Sequence, residues 1–222
     1  MSVKTAPRRY RSEIRTAAAD QTRARILAAA RTLLTGGEGL PAYSVDGVAR
    51  QAGVTRLTVY NQFESKRGLL EAVFDEMAER GGLLNELPAV FAEVDARRAL
   101  HRMVGVFCRF WAAHGSVIPK LSAMTKLDEE VAASLHERTE RRRHVLDVLV
   151  QRLGIGPPAA RADLVDTLFA LTSFEMYEAL AINQRSDESV QALLQGLVED
   201  AVSRHESGSG KTPTARRRSK AR

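Results

Sequence analysis

Residues Ser44–Phe63 read SVDGVARQAGVTRLTVYNQF, and the fold follows from how that stretch divides. Ser44 is a residue type that caps helix starts, and Asp46 suits the positive end of the helix that follows. Val45, Val48, Ala49 and Ala52 recur at i, i+3, i+4 and i+7, which is one buried stripe of a short helix. Gly53 permits a tight left-handed exit, and Val54 is an apolar plug between two helices. Thr55 then caps a second short helix, on which Val59 and Phe63 point inward.

Two short helices meeting at a glycine turn, with small Ala49 allowing close approach, are the layout of a helix-turn-helix. The second helix gives few residues to the core. Arg56, Leu57, Thr58, Tyr60, Asn61 and Gln62 remain for its outer surface. These side chains suit a major groove: Arg forks onto guanine, Asn and Gln onto adenine, and Leu or a Thr methyl meets the thymine methyl. Hydroxyls of Thr58 and Tyr60 suit phosphate oxygens. Lys66 adds charge at the next helix start, and Thr22 and Arg23 do the same at the first. The candidate DNA contacts are therefore Thr22, Arg23, Ser44, Thr55, Arg56, Leu57, Thr58, Tyr60, Asn61, Gln62 and Lys66.

Outward from this stretch the chain patterns as helix almost throughout. No segment sustains period-2 alternation, so an all-α fold without strands is expected. Helices are expected at about 21–34, 65–80, 96–114, 128–153, 159–183 and 187–205, with Asp187 as a cap for the last. Gly81, Gly82 and Pro88 punctuate the chain after the helix ending near Arg80, and Gly154, Gly156, Pro157 and Pro158 form a firm break. Residues 1–20 read as a disordered basic arm and 207–222 as a flexible basic tail.

The net charge of +6 is concentrated in these termini. Lys211, Arg216, Arg217, Arg218, Lys220 and Arg222 face only Glu206 in the last stretch, which leaves the middle slightly acidic. Basic termini attract polyanions such as DNA. No run of about 20 apolar residues exists, so no membrane partner is expected, and the N-terminus lacks the apolar stretch of a secretory signal. Cys108 is the only cysteine, which suits a reducing cytoplasm. Histidine and cysteine spacings make no metal motif, and no nucleophile elbow or phosphate loop occurs. Neither a cofactor nor an enzymatic activity is expected.

Residues 21–74 resemble the DNA-binding region of the tetracycline-repressor (TetR) family. The resemblance is carried by Thr22-Arg23 and Ile26 to Ala30, by Ser44-Val45, Val48-Ala49 and Ala52-Gly53-Val54, and by Thr58-Val59-Tyr60, Phe63 to Lys66 and Leu69-Leu70. It implies that Thr58, Tyr60 and Lys66 anchor phosphates while Arg56, Leu57, Asn61 and Gln62 lie at base edges. Leu57 stands where many members have glycine, and Gln62 where many have histidine or tyrosine. The resemblance further implies a helix-turn-helix domain at 21–68 and a helical ligand-binding and dimerisation domain at 69–206. The protein would then be a ligand-responsive repressor bound as a homodimer to a palindromic operator. An activator of the same fold, or a helical carrier or enzyme for an apolar metabolite, are the alternatives.

Leu164, Leu168 and Leu171, with Val190, Leu193, Leu194, Leu197, Val198 and Val202, form stripes that fit either a dimer interface or an internal core. Small Ala170, Ser173 and Ala179 permit close approach. Phe107, Trp111 and Tyr177 are the candidate contacts for a largely apolar small-molecule effector, although aromatic stripes more commonly build plain core. Arg138, Arg141, Arg142 and Arg143 read as a solvated face balanced by Glu137 and Glu140.

Overall fold

The computed structural model describes residues 8–36, 43–182 and 184–209. Eleven helices follow one another, and no strand occurs among the described residues. They are α1 Arg8–Thr35, α2 Val45–Ala52, α3 Arg56–Phe63, α4 Lys66–Arg80, α5 Leu83–Ala92, α6 Ala96–His114, α7 Ile118–Met124, α8 Glu129–Arg152, α9 Pro158–Leu171, α10 Phe174–Ala181 and α11 Asp187–Ser209.

Two compact units are formed. The first holds the residues up to Arg80 together with Ser116–His136; the second holds Gly81–Gly115 and the residues from Glu137 onward. This division differs from the expected limits at 68 and 69. In the first unit α4 packs with α1 and α3. Its Leu69, Leu70, Val73 and Met77 are buried, and Glu76 pairs with Arg31 of α1 at 2.8 Å. Full burial of a leucine side chain is worth roughly 1.5–3 kcal/mol, so α4 is part of the helix-turn-helix core and not only a link leading out of it.

In the second unit α6 is central, packing against α5, α10 and α11, while α9 packs on α10 and α11. Its core includes Leu100, Met103, Val104, Leu146, Leu149, Leu164, Leu168, Val190, Leu194, Val198 and Val202. Most of the stripe that fitted either a dimer or a core is thus internal core of the chain itself. Ala170, Ala179, Leu193 and Gly196 remain exposed.

Several boundaries correct the sequence reading. Residues 8–20, expected to be disordered, lengthen α1 at its N-terminal end. Neither glycine nor proline interrupts Arg8–Thr35, and alanines are frequent, so propensity favours one continuous helix. Of the expected flexible tail, 207–209 continue α11, and 210–222 lie outside the described residues. Residues 1–7 of the arm also lie outside them.

Helix α5 forms around Pro88, which is exposed, so the backbone bond it forfeits lies on a solvated side. The expected helix at 159–183 is divided at Thr172–Ser173. Ser173 is extended, and its hydroxyl accepts from Met176 N–H at 3.1 Å, which starts α10 afresh. Ser186, not Asp187, caps α11, accepting from Ser189 N–H at 3.3 Å. Among the described residues no helix is long and apolar enough to cross a membrane.

Candidate nucleic-acid interface

The helix-turn-helix is built by the local chemistry of its own residues. Ser44 Oγ accepts from Gly47 N–H at 3.0 Å and caps α2. Val45, Val48 and Ala49 are buried, as the stripe requires. Gly53 takes φ 65° and ψ 38°, and the amides of Gly53 and Val54 return to Arg50 O and Ala49 O at 3.2 and 3.0 Å. Thr55 Oγ1 then accepts from Thr58 N–H at 3.1 Å and caps α3. Only Val59 and Phe63 of α3 are buried. Arg56, Leu57 and Asn61 are exposed, Leu57 to 67%, with Thr58, Tyr60 and Gln62 half-buried beside them.

Arg56 does not project alone. Its guanidinium donates to Asp46 Oδ2 at 2.9 Å and to Tyr60 Oη at 3.1 Å, and lies 5.4 Å from the centre of the Tyr60 ring. The Tyr60 bond and the Asp46 charge raise the basicity of Arg56 further. Asp46, which the sequence reading treated as a helix-start charge, therefore bridges α2 to the first residue of α3. Thr55 and Thr58 hydroxyls share a hydrogen bond of 2.8 Å.

The remaining candidates are held by protein groups. Arg23 donates to Gln62 O at 3.0 Å and stacks 4.4 Å over the Phe63 ring, so it closes the C-terminal end of α3. The Thr22 hydroxyl donates to Ala18 O, one turn back along α1. Lys66 is ion-paired with Asp128, just before α8. Asp128 carried no signal for this in the sequence, because 62 residues separate the partners.

The turn from α3 to α4 is tight. Glu64 adopts φ 65°. A Cβ on Gly68 would stand 2.1 Å from Phe63 O, so only glycine fits there. Ser65 Oγ accepts from Gly68 N–H at 2.9 Å and starts α4.

The effector candidates lie in the second unit. Phe107 stacks on Trp111 at 5.8 Å, and Trp111 also meets Phe110 and Phe174 edge-on. Trp111 Nε1–H donates to Thr172 O at 3.0 Å. Arg142, at first sight one of a solvated group, instead lies 4.0 Å over the Phe169 ring and donates to Phe169 O at 2.9 Å and Thr172 Oγ1 at 3.0 Å. Burial pushes this arginine down to about 10, so it stays charged at neutral pH. Trp111 and Arg142 together satisfy the carbonyls that end α9.

Tyr177 is buried, and its hydroxyl donates to Asp187 at 2.5 Å; burial, then Asp187, raises the phenol above its ordinary value. Asp187 borders a cavity of about 580 Å³ lined also by Cys108, Arg109, Ala112, Ala113, Glu188 and Gln191. Burial pushes the Cys108 thiol up to about 11, which leaves it unreactive at neutral pH.

A capped helix pair with a glycine turn, an outward polar helix and a separate helical body define a DNA-binding regulator of the helix-turn-helix class. Residues 26–73 match the family model described as bacterial regulatory proteins, tetR family. The match covers the helix-turn-helix and most of α4, so the likeness to that family lies in this stretch of the chain. No curated protein matches the sequence. Among solved structures, a protein described as a TetR-family transcriptional regulator from Rhodococcus sp. is similar at 20% identity, over 82% of this chain and 99% of that one, with a TM-score of 0.63. A transcriptional regulator from Rhodococcus sp. Rha1 is similar at 20% identity, over 86% and 99%, with a TM-score of 0.60. A third, from Saccharomonospora viridis and in complex with choline, is 17% identical over 81% and 96%, with a TM-score of 0.62. These likenesses establish the shared fold.

Proposed function

We propose that this protein is a cytoplasmic, effector-responsive repressor that binds a palindromic operator as a homodimer. The observation that carries the reading is the outer face of α3, where Arg56, Leu57 and Asn61 stand free of the core between the hydroxyls of Thr58 and Tyr60. Arg56 and Asn61 read base edges, Leu57 meets a thymine methyl, and Gln62 adds a contact at the helix end. Thr55, Thr58, Tyr60 and Lys66 hold phosphates, and Ser44, Thr22 and Arg23 fix the helices that carry them.

One eight-residue helix reads too few base pairs to select a site, and a two-fold dimer doubles the reading on half-sites about 34–36 Å apart. The outward Ala170, Ala179, Leu193 and Gly196 support close approach of a second copy; a Cβ on Gly196 would meet nothing within 4 Å. The effector reading is supported by the cavity beside α6 and α11. Its lining of Cys108, Ala112 and Ala113 with the carboxylates of Asp187 and Glu188, and with Arg109 paired to Glu86, supports a small, largely apolar molecule bearing a positive charge, and one protein of similar fold is described with choline. Reversing a 99:1 population requires about 5.5 kcal/mol of differential affinity between the two states.

The test is selection from a random duplex library at near-physiological salt. Enrichment of an inverted repeat is the expected result. Recovery of all sequences alike contradicts the reading and leaves only non-specific DNA binding. Organic cations added to the selected complex are expected to release the duplex; an increase in binding or in reporter output would make the protein an activator.

A further inference from the structure

Lys66 opens α4, and a lysine at a helix start is well placed for a phosphate. Its ammonium is nevertheless already engaged, donating to Asp128 Oδ2. The acceptor is itself fixed. Asp128 Oδ1 accepts from Glu130 N–H at 3.0 Å and Val131 N–H at 3.2 Å, so the same carboxylate caps α8. The two side chains are 33% and 22% exposed, which shields the pair from screening more than a surface pair. The bond to Lys66, and then the capping amides, hold the Asp128 carboxyl below the usual carboxylate range. A second lysine secures the same segment: Lys120 Nζ donates to Gly36 O at 2.6 Å, just past the end of α1.

A carboxylate on Lys66 presents what a DNA phosphate would present, an anionic oxygen on the ammonium. Phosphate neutralisation drives binding by releasing condensed counter-ions. A lysine whose charge is already balanced by an internal carboxylate releases none on balance, unless that carboxylate lets go.

We propose that Asp128 is an internal counter-ion that competes with a DNA phosphate for Lys66. The first turn of α8 then sets whether this unit neutralises one phosphate more or one fewer. The proposal rests on the reading of Lys66 as a phosphate contact. Loosening that turn strengthens DNA binding, and fastening it weakens binding, with no change at the base-reading face of α3.

The test uses the full chain and a mixed-sequence duplex of about 40 base pairs, with affinity measured by fluorescence anisotropy between about 50 and 200 mM KCl, the range over which such contacts are most salt-sensitive. Asp128→Asn retains a good helix cap while removing the charge, and Asp128→Ser, also a capping residue, repeats the measurement. Both are expected to bind more tightly than wild type at the lower salt. The slope of log K against log salt is expected to steepen by about 0.9, the value of one added phosphate. In a Lys66→Gln background the same substitutions are expected to leave the slope unchanged. An unchanged slope in the single variants overturns the proposal, and so does an equal steepening without Lys66, which would mark a general field effect. Tyr60→Ala is measured alongside. If it weakens binding while the Asp128 variants leave the slope alone, the competition fails and the DNA-binding reading stands. If it binds as wild type does, both fall.

Discussion

The stretch from Ser44 to Lys66 and the stretch from Pro158 to Ala181 are both pairs of short helices, yet they are held by different means. In the first, the helix starts and the glycine turn are set by residues within four positions: Ser44 on Gly47, Gly53 on Ala49 and Arg50, Thr55 on Thr58, Ser65 on Gly68; the end of α3 alone takes a distant donor, Arg23. In the second, Ser173 starts α10 locally, but the end of α9 is completed by Trp111 and Arg142, 61 and 30 residues away from Thr172. A helix that keeps its polar side chains outside gives few residues to the core, so caps and turns near in sequence carry more of its definition. At the end of α9 the carbonyls of Phe169 and Thr172 are instead closed by distant donors. The outward residues of α3 are therefore expected to tolerate exchange, whereas the α9–α10 junction is expected to answer to changes made elsewhere in the chain.

The largest effect expected is at Gly68. Gly68→Ala drives a Cβ into Phe63 O and should cost roughly 3 kcal/mol or more in the first unit. Thermal unfolding should show this together with loss of DNA binding; an unchanged midpoint would mean that the α3–α4 turn is looser than described. Next is Arg142→Leu. It strips the donors from Phe169 O and Thr172 Oγ1, at an expected cost of about 1–3 kcal/mol. Hydrogen exchange should rise around residues 169–176 while DNA affinity is retained. Loss of DNA affinity with unchanged exchange would erase the contrast between the two junctions.

Smaller and of opposite sign is Glu64→Gly. It relieves the positive φ at the end of α3 and should stabilise by about 0.5–1 kcal/mol. A destabilised variant would show that the Glu64 side chain contributes more than its backbone costs.

Smallest is a pH effect at Asp128. Its folded-state carboxyl is depressed, so its contribution is complete above the ordinary carboxylate range and is lost as pH falls through the depressed value. The stability difference between wild type and Asp128→Asn should therefore shrink on acidification below that range. A constant difference down the acid limb would deny the pair any charge-dependent role.

The legibility of the chain follows the same division. The caps at Ser44 and Thr55, the Gly53 turn and the outward set on α3 were all readable, because each is a short-range statement about residue type and spacing. Helices 65–80, 96–114 and 128–153 were placed to within a residue of α4, α6 and α8 by their periodicity and breakers. What escaped was long-range. Asp128 on Lys66, Asp46 bridging to Arg56 and Arg142 at the end of α9 join residues from different helices, and a carboxylate or arginine in a polar helix face looks the same whether or not it finds such a partner. Arg142 was hidden in a run of arginines, where solvation is the ordinary outcome. The length of α1 escaped for the reverse reason: residues 8–20 are helical without an apolar periodicity in the sequence to announce them.

In the proposed function α3 reads bases while the hydroxyls around it hold the backbone. The direct measurement is the ratio of affinities for a selected inverted-repeat duplex and a scrambled duplex, taken for wild type, Tyr60→Ala and Arg56→Ala at fixed salt. Specific sites commonly exceed non-specific ones by about 10³–10⁷. Tyr60→Ala is expected to weaken both duplexes to a similar degree and leave most of the ratio, whereas Arg56→Ala is expected to lower the ratio itself, by about 1–3 kcal/mol per half-site. A ratio untouched by Arg56→Ala, or one abolished by Tyr60→Ala alone, would contradict this division of labour on α3.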